Sequence, residues 1–276
     1  MNTLGKAIRM ATAAVLLLPA LANGTTNELK MELKSAKRLR VATTMQVSST
    51  LQKTEQDGRE AFGRILLAPS YLLSDDYRIG ATGSLIQNFN EEQKTTYGNT
   101  RVSLSRKPLQ LTQDSSLILI AGGRLPTNPD DRRDNTFNGS VLIDPNLITE
   151  WNIFGQRFTT TLELILSKNF HTYDRNNSSA ANMSYTAINY FGVETHISDR
   201  VLLTVDGDYT YGRSYQDTPM TTFSLGQSLT YEQTDWSLTL GHTNSAQALK
   251  ANGSDYNISA FDKHTSAVFS SLRFVY

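Results

Sequence analysis

The chain has 276 residues, with 26 basic and 26 acidic side chains, four histidines and no cysteine. Balanced charge without a basic surplus excludes a nucleic-acid binder, and the lack of thiols excludes disulfide frameworks, thiolate metal sites and cysteine nucleophiles. His171, His196, His242 and His264 are scattered singly, with no pair at helical ligand spacing, so no metal site and no cofactor is expected.

At the start of the chain, Lys6 and Arg9 precede an apolar stretch from Met10 to Leu18, and Ala20-Leu21-Ala22 follows. A positive head, an apolar core and a small-x-small site read as a secretory signal peptide over residues 1–22, with the mature chain beginning at Asn23. The apolar stretch falls short of the ~20 residues that a spanning helix needs. Residues 23–37 carry Glu28, Lys30, Glu32, Lys34 and Lys37 and read as a polar periplasmic lead-in; Leu29 and Leu33, four apart, would suit a short helix. No long apolar run follows, which excludes a helical-bundle membrane protein.

From Arg38 onward the pattern has period two. Over Arg157 to Lys168, one face carries Phe158, Thr160, Leu162, Leu164 and Leu166, and the other Thr159, Thr161, Glu163, Ile165 and Ser167. Val201 to Arg213 repeats this, with Val201, Leu203, Val205, Gly207, Tyr209 and Tyr211 against Leu202, Thr204, Asp206, Asp208 and Thr210. Such half-apolar alternation suits a strand with lipid on one side and polar surroundings on the other. Strands are expected near 38–51, 63–73, 77–90, 100–111, 116–125, 140–153, 157–170, 182–196, 200–213, 220–232, 235–247 and 264–276, about twelve in all, an even number as single-chain bacterial barrels require.

The connections alternate between tight turns and longer polar loops, the latter near 52–62, 91–99, 126–139, 171–181, 214–219 and 248–263. Aromatic residues gather at strand ends. Tyr77, Trp151, Phe158, Tyr231, Trp236 and Tyr276 fall at the tight-turn end, and Phe89, Phe170, Tyr185, Tyr211 and Phe223 toward the loop end. Two such girdles are what amphipathic rings make at two membrane interfaces. A soluble sandwich or lipocalin-like barrel is the competing fold, and would turn the apolar faces inward.

The last segment runs Val268-Phe269-Ser270-Ser271-Leu272-Arg273-Phe274-Val275-Tyr276. Counting back from Tyr276, alternate positions are Phe274, Leu272, Ser270 and Val268. This resembles the C-terminal signal of bacterial outer-membrane β-barrel proteins, with Tyr where Phe is commonest and a weak apolar position at Ser270. The resemblance implies an all-β, transmembrane, antiparallel up-and-down barrel over residues 38–276, located in the outer membrane. It implies that Leu272, Phe274 and Tyr276 serve as the assembly signal read by the barrel-assembly machinery through edge pairing. Outer-membrane lipids and lipopolysaccharide would surround the barrel, and both chain ends would lie in the periplasm.

With the apolar face toward lipid, the opposite face is charged. The first five strands and the last contribute Arg38, Arg40, Arg64, Arg78, Arg101, Lys107, Arg124 and Arg273; strands six to ten contribute Asp144, Glu150, Glu163, Glu194, Asp206, Asp208 and Glu232. A basic wall thus faces an acidic wall. This suits either a narrow porin-like passage for small polar or charged solutes, or a lumen zipped shut by ion pairs. Two other functions compete. A phospholipase-like enzyme would need Ser and His on one strand face, but in Gly241-His242-Thr243-Asn244-Ser245 the serine is on the opposite face from His242 and Asn244. A structural or adhesive barrel would use loops such as Asp130-Asp131-Arg132-Arg133-Asp134, which more simply reads as solvated. Neither catalytic residues nor a metal centre are expected. Arg106 and Asn189 fall on the lipid face; a bulge near Lys107-Pro108 would turn Arg106 inward, and strand eight would have to be out of register to turn Asn189.

Overall fold

A computed structural model describes residues 38–52, 60–89, 94–249, 255–262 and 264–276. The expected signal peptide and residues 23–37 lie outside the described residues. The strands are β1 (Leu39–Thr50), β2 (Ala61–Leu72), β3 (Tyr77–Asn88), β4 (Thr95–Tyr97), β5 (Thr100–Arg106), β6 (Leu109–Gln110), β7 (Ser115–Leu125), β8 (Phe137–Ile153), β9 (Gln156–His171), β10 (Met183–Ser198), β11 (Val201–Ser214), β12 (Pro219–Glu232), β13 (Trp236–Gln247) and β14 (Ser266–Val275). Each pairs antiparallel with its neighbour, and β14 pairs with β1 to close a barrel of twelve wall strands. At the seam, Tyr276 donates its backbone N–H to the Val41 carbonyl at 3.0 Å and accepts from the Val41 N–H at 3.3 Å. Among the described residues closure pairs the wall strands on both sides, as a lipid environment demands because it offers backbone groups no water, and the short β4 and β6 pair on one side each.

Twelve wall strands arise from fourteen segments because the fourth wall strand is broken twice. β4 and β5 both pair with β3, and β5 and β6 both pair with β7. The first break falls at Gly98, whose N–H reaches the Ser84 carbonyl at 2.8 Å. A Cβ there would lie 2.2 Å from Ser84 Oγ, so any larger residue would have to displace that hydroxyl. The second falls at Lys107-Pro108, where proline cannot donate to the ladder; the Lys107 N–H turns to the Asp76 carbonyl at 2.7 Å.

This break sits where the sequence places it, but its effect differs. Arg106 stays on the outer face with Leu104, opposite Tyr77 at the strand end, and is exposed. Its long side chain can reach headgroup level from there, so an inward turn is unnecessary. Asn189 is also outward, between Ala187 and Phe191, and β10 pairs without a shift from Tyr185 to Thr195 on β9. No register slip removes it from the outer wall.

The two sides of the wall follow the alternation. Leu162, Leu166, Val205, Leu229, Leu238 and Leu240 are exposed outward, while Thr161, Glu163 and Ser167 on β9 are buried inward. An outer surface of large aliphatic side chains is the reverse of a soluble sandwich, and shows that the apolar face meets lipid. Trp151 and Trp236 are exposed at the tight-turn end, and Trp151 Nε1 donates to Thr160 Oγ1 at 2.9 Å. Phe89, Phe170, Tyr185 and Tyr211 are exposed toward the loop end.

Phe223 departs from that girdle: it is 3% exposed. On the neighbouring β13, the segment leading into β14 lies over the outer wall. Asn244, outward on β13 and 0% exposed, donates to the Ser259 carbonyl at 2.7 Å and accepts from Thr265 Oγ1 at 2.5 Å. An amide in that position needs such partners, since hydrocarbon supplies none.

The loop after β7 holds a six-residue helix, α1 (Pro129–Asp134), within a stretch expected to be an open loop. Asn128 caps it, with its side chain accepting from the Asp130 and Asp131 N–H groups, and Pro129 opens the first turn.

The lumen as candidate functional site

Inward positions of β1, β2, β3, β5, β7 and β14 carry Arg40, Arg64, Arg78, Arg101, Arg124 and Arg273. Inward positions of β8 to β12 carry Asp144, Glu150, Glu163, Glu194, Asp206, Asp208 and Glu232. Arg38 precedes β1 and Lys107 lies between β5 and β6; both are exposed at the tight-turn end and stand apart from the buried arginines.

The halves meet at Arg101 and Asp144, whose side chains pair at 2.6 Å from β5 to β8, across β7. Asp144 is 1% exposed and accepts a second bond, at 2.6 Å, from the Asn146 amide. A carboxylate this buried requires both a counter-charge and hydrogen bonds. Arg101 also stands directly opposite Arg124 across the β5–β7 ladder. Like charges at that spacing repel, so Asp144 offsets a repulsion built into the basic half. Elsewhere in that half hydroxyls serve the guanidinium groups: Arg78 donates to Ser70 Oγ at 3.1 Å, and Arg64 to Ser84 Oγ at 3.5 Å.

On the acidic side, Glu163, Tyr190 and Asp208 form one row across β9, β10 and β11. Two glycines shape this wall. A Cβ on Gly192 would lie 2.7 Å from Tyr190 Oη, and one on Gly226 would lie 2.3 Å from Asp206 Oδ1. Their absence lets Tyr190 lie along β10 and Asp206 lie over β12. Gly241 similarly receives the ring of the inward Phe269, whose Cζ would sit 2.2 Å from an added Cβ. Tyr190 and Phe269 line the lumen but are not among the charged positions that sequence reasoning selects. Alternation gives their side of the wall; only the glycine slots explain how bulky rings fit there.

A cavity of about 330 Å³ opens at the tight-turn end, with Glu150, Arg157, Glu194, His196, Glu232 and Arg273 among its lining residues. Glu150 and Arg157 pair there at 3.3 Å. This end of the lumen is polar and charged with both signs.

The string around His242 does not assemble a Ser–His site. Ser245 bonds Ser224 at 2.9 Å, on the inner face. His242 lies on the outer face, its ring stacked on Phe261 at 5.7 Å and its Nδ1 3.4 Å from Gln227 Nε2. Nor is the charged loop at α1 an open cation cradle. Arg133 pairs with Asp134 at 2.7 Å and Asp130 at 3.1 Å, and Lys94 pairs with Asp130 at 2.8 Å. The Arg133 guanidinium holds the Asp134 carboxyl below the ordinary carboxylate range through its hydrogen bond and its charge.

At the seam, Leu272 and Phe274 point outward and Tyr276 is exposed beyond β14, its ring stacked with Phe274 at 6.4 Å.

A closed barrel, apolar outside and charged inside, defines the class: a transmembrane β-barrel of the outer-membrane type. Comparison with solved structures agrees. The fold is similar to an outer-membrane channel from Pseudomonas putida F1, with a TM-score of 0.58 and 14% identity over 86% of this chain and 95% of that one. The KdgM porin matches at a TM-score of 0.46 and 9% identity, over 84% of this chain and 98% of that one. The NanC porin matches at 0.47 and 10% identity, over 85% and 98%. No protein-family model and no curated protein matches the chain. A closed barrel with an apolar outer wall is the architecture that spans the bacterial outer membrane, and the protein resides there.

Proposed function

We propose that the protein is a narrow porin-like channel passing small polar or charged solutes down their gradients. The observation that carries this reading is the segregated charge of the lumen, with arginines on β1, β2, β3, β5, β7 and β14 and carboxylates on β8 to β12. A transverse field of this kind orients dipolar solutes and filters ions by sign. Twelve strands give a lumen between the side-chain-filled barrels of about 8 strands and the open channels of about 16. The polar cavity at the tight-turn end supplies a mouth.

The same reading orients the barrel with its tight turns and both strand ends of the seam toward the periplasm, and its loops outward. Leu272, Phe274 and Tyr276 then serve as the strand that the barrel-assembly machinery engages by edge pairing, and the loop-end girdle meets lipopolysaccharide.

The test is conductance of the purified barrel in planar bilayers, with reversal potentials under a salt gradient. Arg78→Glu moves selectivity toward cations, and Asp206→Lys moves it toward anions. Conductance no higher than that of protein-free bilayers rejects the channel.

A further inference from the structure

On the outward positions of the described strands, the charged residues are Arg106, Lys168 and Arg213, all basic, whereas the acidic strand residues face the lumen. Arg106 stands alone at the tight-turn end. Lys168 and Arg213 stand together toward the loop end, both paired across the ladder to Tyr185. Two strand spacings separate their backbones by about 10 Å, a gap that two long side chains can close onto one ligand group.

The site is ordered by its surroundings. Lys168 Nζ lies 3.9 Å from the centre of the Tyr185 ring and 5.1 Å from that of Tyr215, and donates to Ser184 Oγ. Tyr215 is itself fixed by its hydroxyl, which donates to the Asn169 carbonyl at 2.7 Å. The ammonium has three donors, so two remain for a ligand. Arg213 pairs with the exposed Asp217 at 2.5 Å through one terminal nitrogen, and the other guanidinium donors remain for bidentate recognition. A cation on a lipid-facing wall is costly unless it meets an anion or the headgroup layer. Phe170 and Tyr211, exposed on the same outer surface, put this pair at the aromatic girdle, where headgroups lie.

We infer that Lys168 and Arg213, with Tyr185 and Tyr215 as platform, form an outer-wall seat for the phosphate of a phosphorylated glycolipid in the outer leaflet. The seat rests on the loop end facing outward and stands whether or not the lumen conducts.

The intact barrel in non-ionic detergent is titrated with a diphosphorylated glucosamine-disaccharide lipid, with the same lipid stripped of phosphate, and with inorganic phosphate. Bound adducts are counted by native mass spectrometry, and heat-modifiable electrophoretic mobility confirms that each variant is folded. The phosphorylated lipid is retained in preference to the other two. Lys168→Gln and Arg213→Gln each weaken retention about tenfold, as loss of one charge-assisted bond implies. Lys168→Arg keeps it, and Arg106→Gln leaves it unchanged. Equal retention of the phosphate-free lipid, saturation by inorganic phosphate at the same concentration, or undiminished binding in the folded double glutamine variant overturns the inference.

Discussion

The barrel has a tall half and a short half. β8 to β12 run 17, 16, 16, 14 and 14 residues, whereas β1, β2, β3, β7 and β14 run 12, 12, 12, 11 and 10, and the broken strand lies among the short ones. The tall half carries the carboxylates of the lumen and the outward Lys168 and Arg213. The short half carries the arginines and the chain seam. Strand length and lumen charge therefore change together around the barrel. β8 outruns β7 at both ends, by residues 137–139 at the loop end and 150–153 at the tight-turn end. At the loop end the α1 loop and the 172–182 connection rest on β8 and β9: His171 Nδ1 bonds the Asn135 carbonyl at 2.7 Å, and the Asn182 amide bonds the same carbonyl at 3.1 Å. The tall half thus adds a hydrogen-bonded rim at the loop end.

Four sets of substitutions break or sharpen this contrast. The largest effect is expected at mid-belt in the tall half: Leu162→Arg costs about 2–4 kcal/mol, as a charge at the bilayer midplane does. The same change at Leu104, two residues from Arg106 and close to the break, costs less, because that position lies near an interface. Denaturant titration of the barrel refolded in lipid vesicles measures both, and equal costs would erase the difference in depth between the halves.

Next is the pair that ties the halves together. Asp144→Ala leaves Arg101 and Asn146 without their carboxylate. It is expected to cost about 2–3 kcal/mol, below the ~3–5 of a fully buried pair because the Arg101 side chain is 28% exposed. Adding Arg101→Ala recovers part of the loss, and a double-mutant cycle in the same titration reads the coupling.

Smaller is the effect of filling a glycine slot. Gly226→Ala forces Asp206 off β12, and Gly241→Ala forces the Phe269 ring toward the lumen, each for about 1 kcal/mol of overpacking. Their conductances should fall although neither carries charge; unchanged conductance with lowered stability would mean that these side chains do not line the path. Smallest for the barrel is Asn128→Ala, which removes the α1 cap at a local cost of about 1 kcal/mol. Faster tryptic cleavage at Arg132 and Arg133, with the barrel's unfolding midpoint unmoved, is the expected outcome.

Much of the wall was legible in the sequence because a strand has an unambiguous period. Alternation along Arg157 to Lys168 assigns Leu162 outward and Glu163 inward, and pairing keeps that assignment across twelve strands. Arg106 and Asn189, the two positions that strain the pattern, are on the outer face as alternation places them: Arg106 needs no bulge because a strand-end arginine can reach the interface, and β10 carries Asn189 outward in unbroken register. What was not legible has long-range causes. The α1 helix needs the local cap at Asn128, whose signal was lost among charged residues. Phe223 reads as a girdle residue, yet it is buried. Arg38 and Lys107 share the charge of the basic wall but are exposed at its end, because each sits where a strand has not begun or has broken.

By itself the sequence determined a closed, membrane-spanning barrel with two chemically distinct sides, because period-two alternation fixes which residues share a face and a lipid-exposed sheet must close. Only the tertiary structure decided which charges meet. Arg101 reaches Asp144 across an intervening strand, Lys168 is caged between tyrosines from β10 and the loop after β11, and Asp206 lies in a space left by a glycine on the next strand. Those contacts depend on register and side-chain reach between strands, which no pattern along a single strand contains.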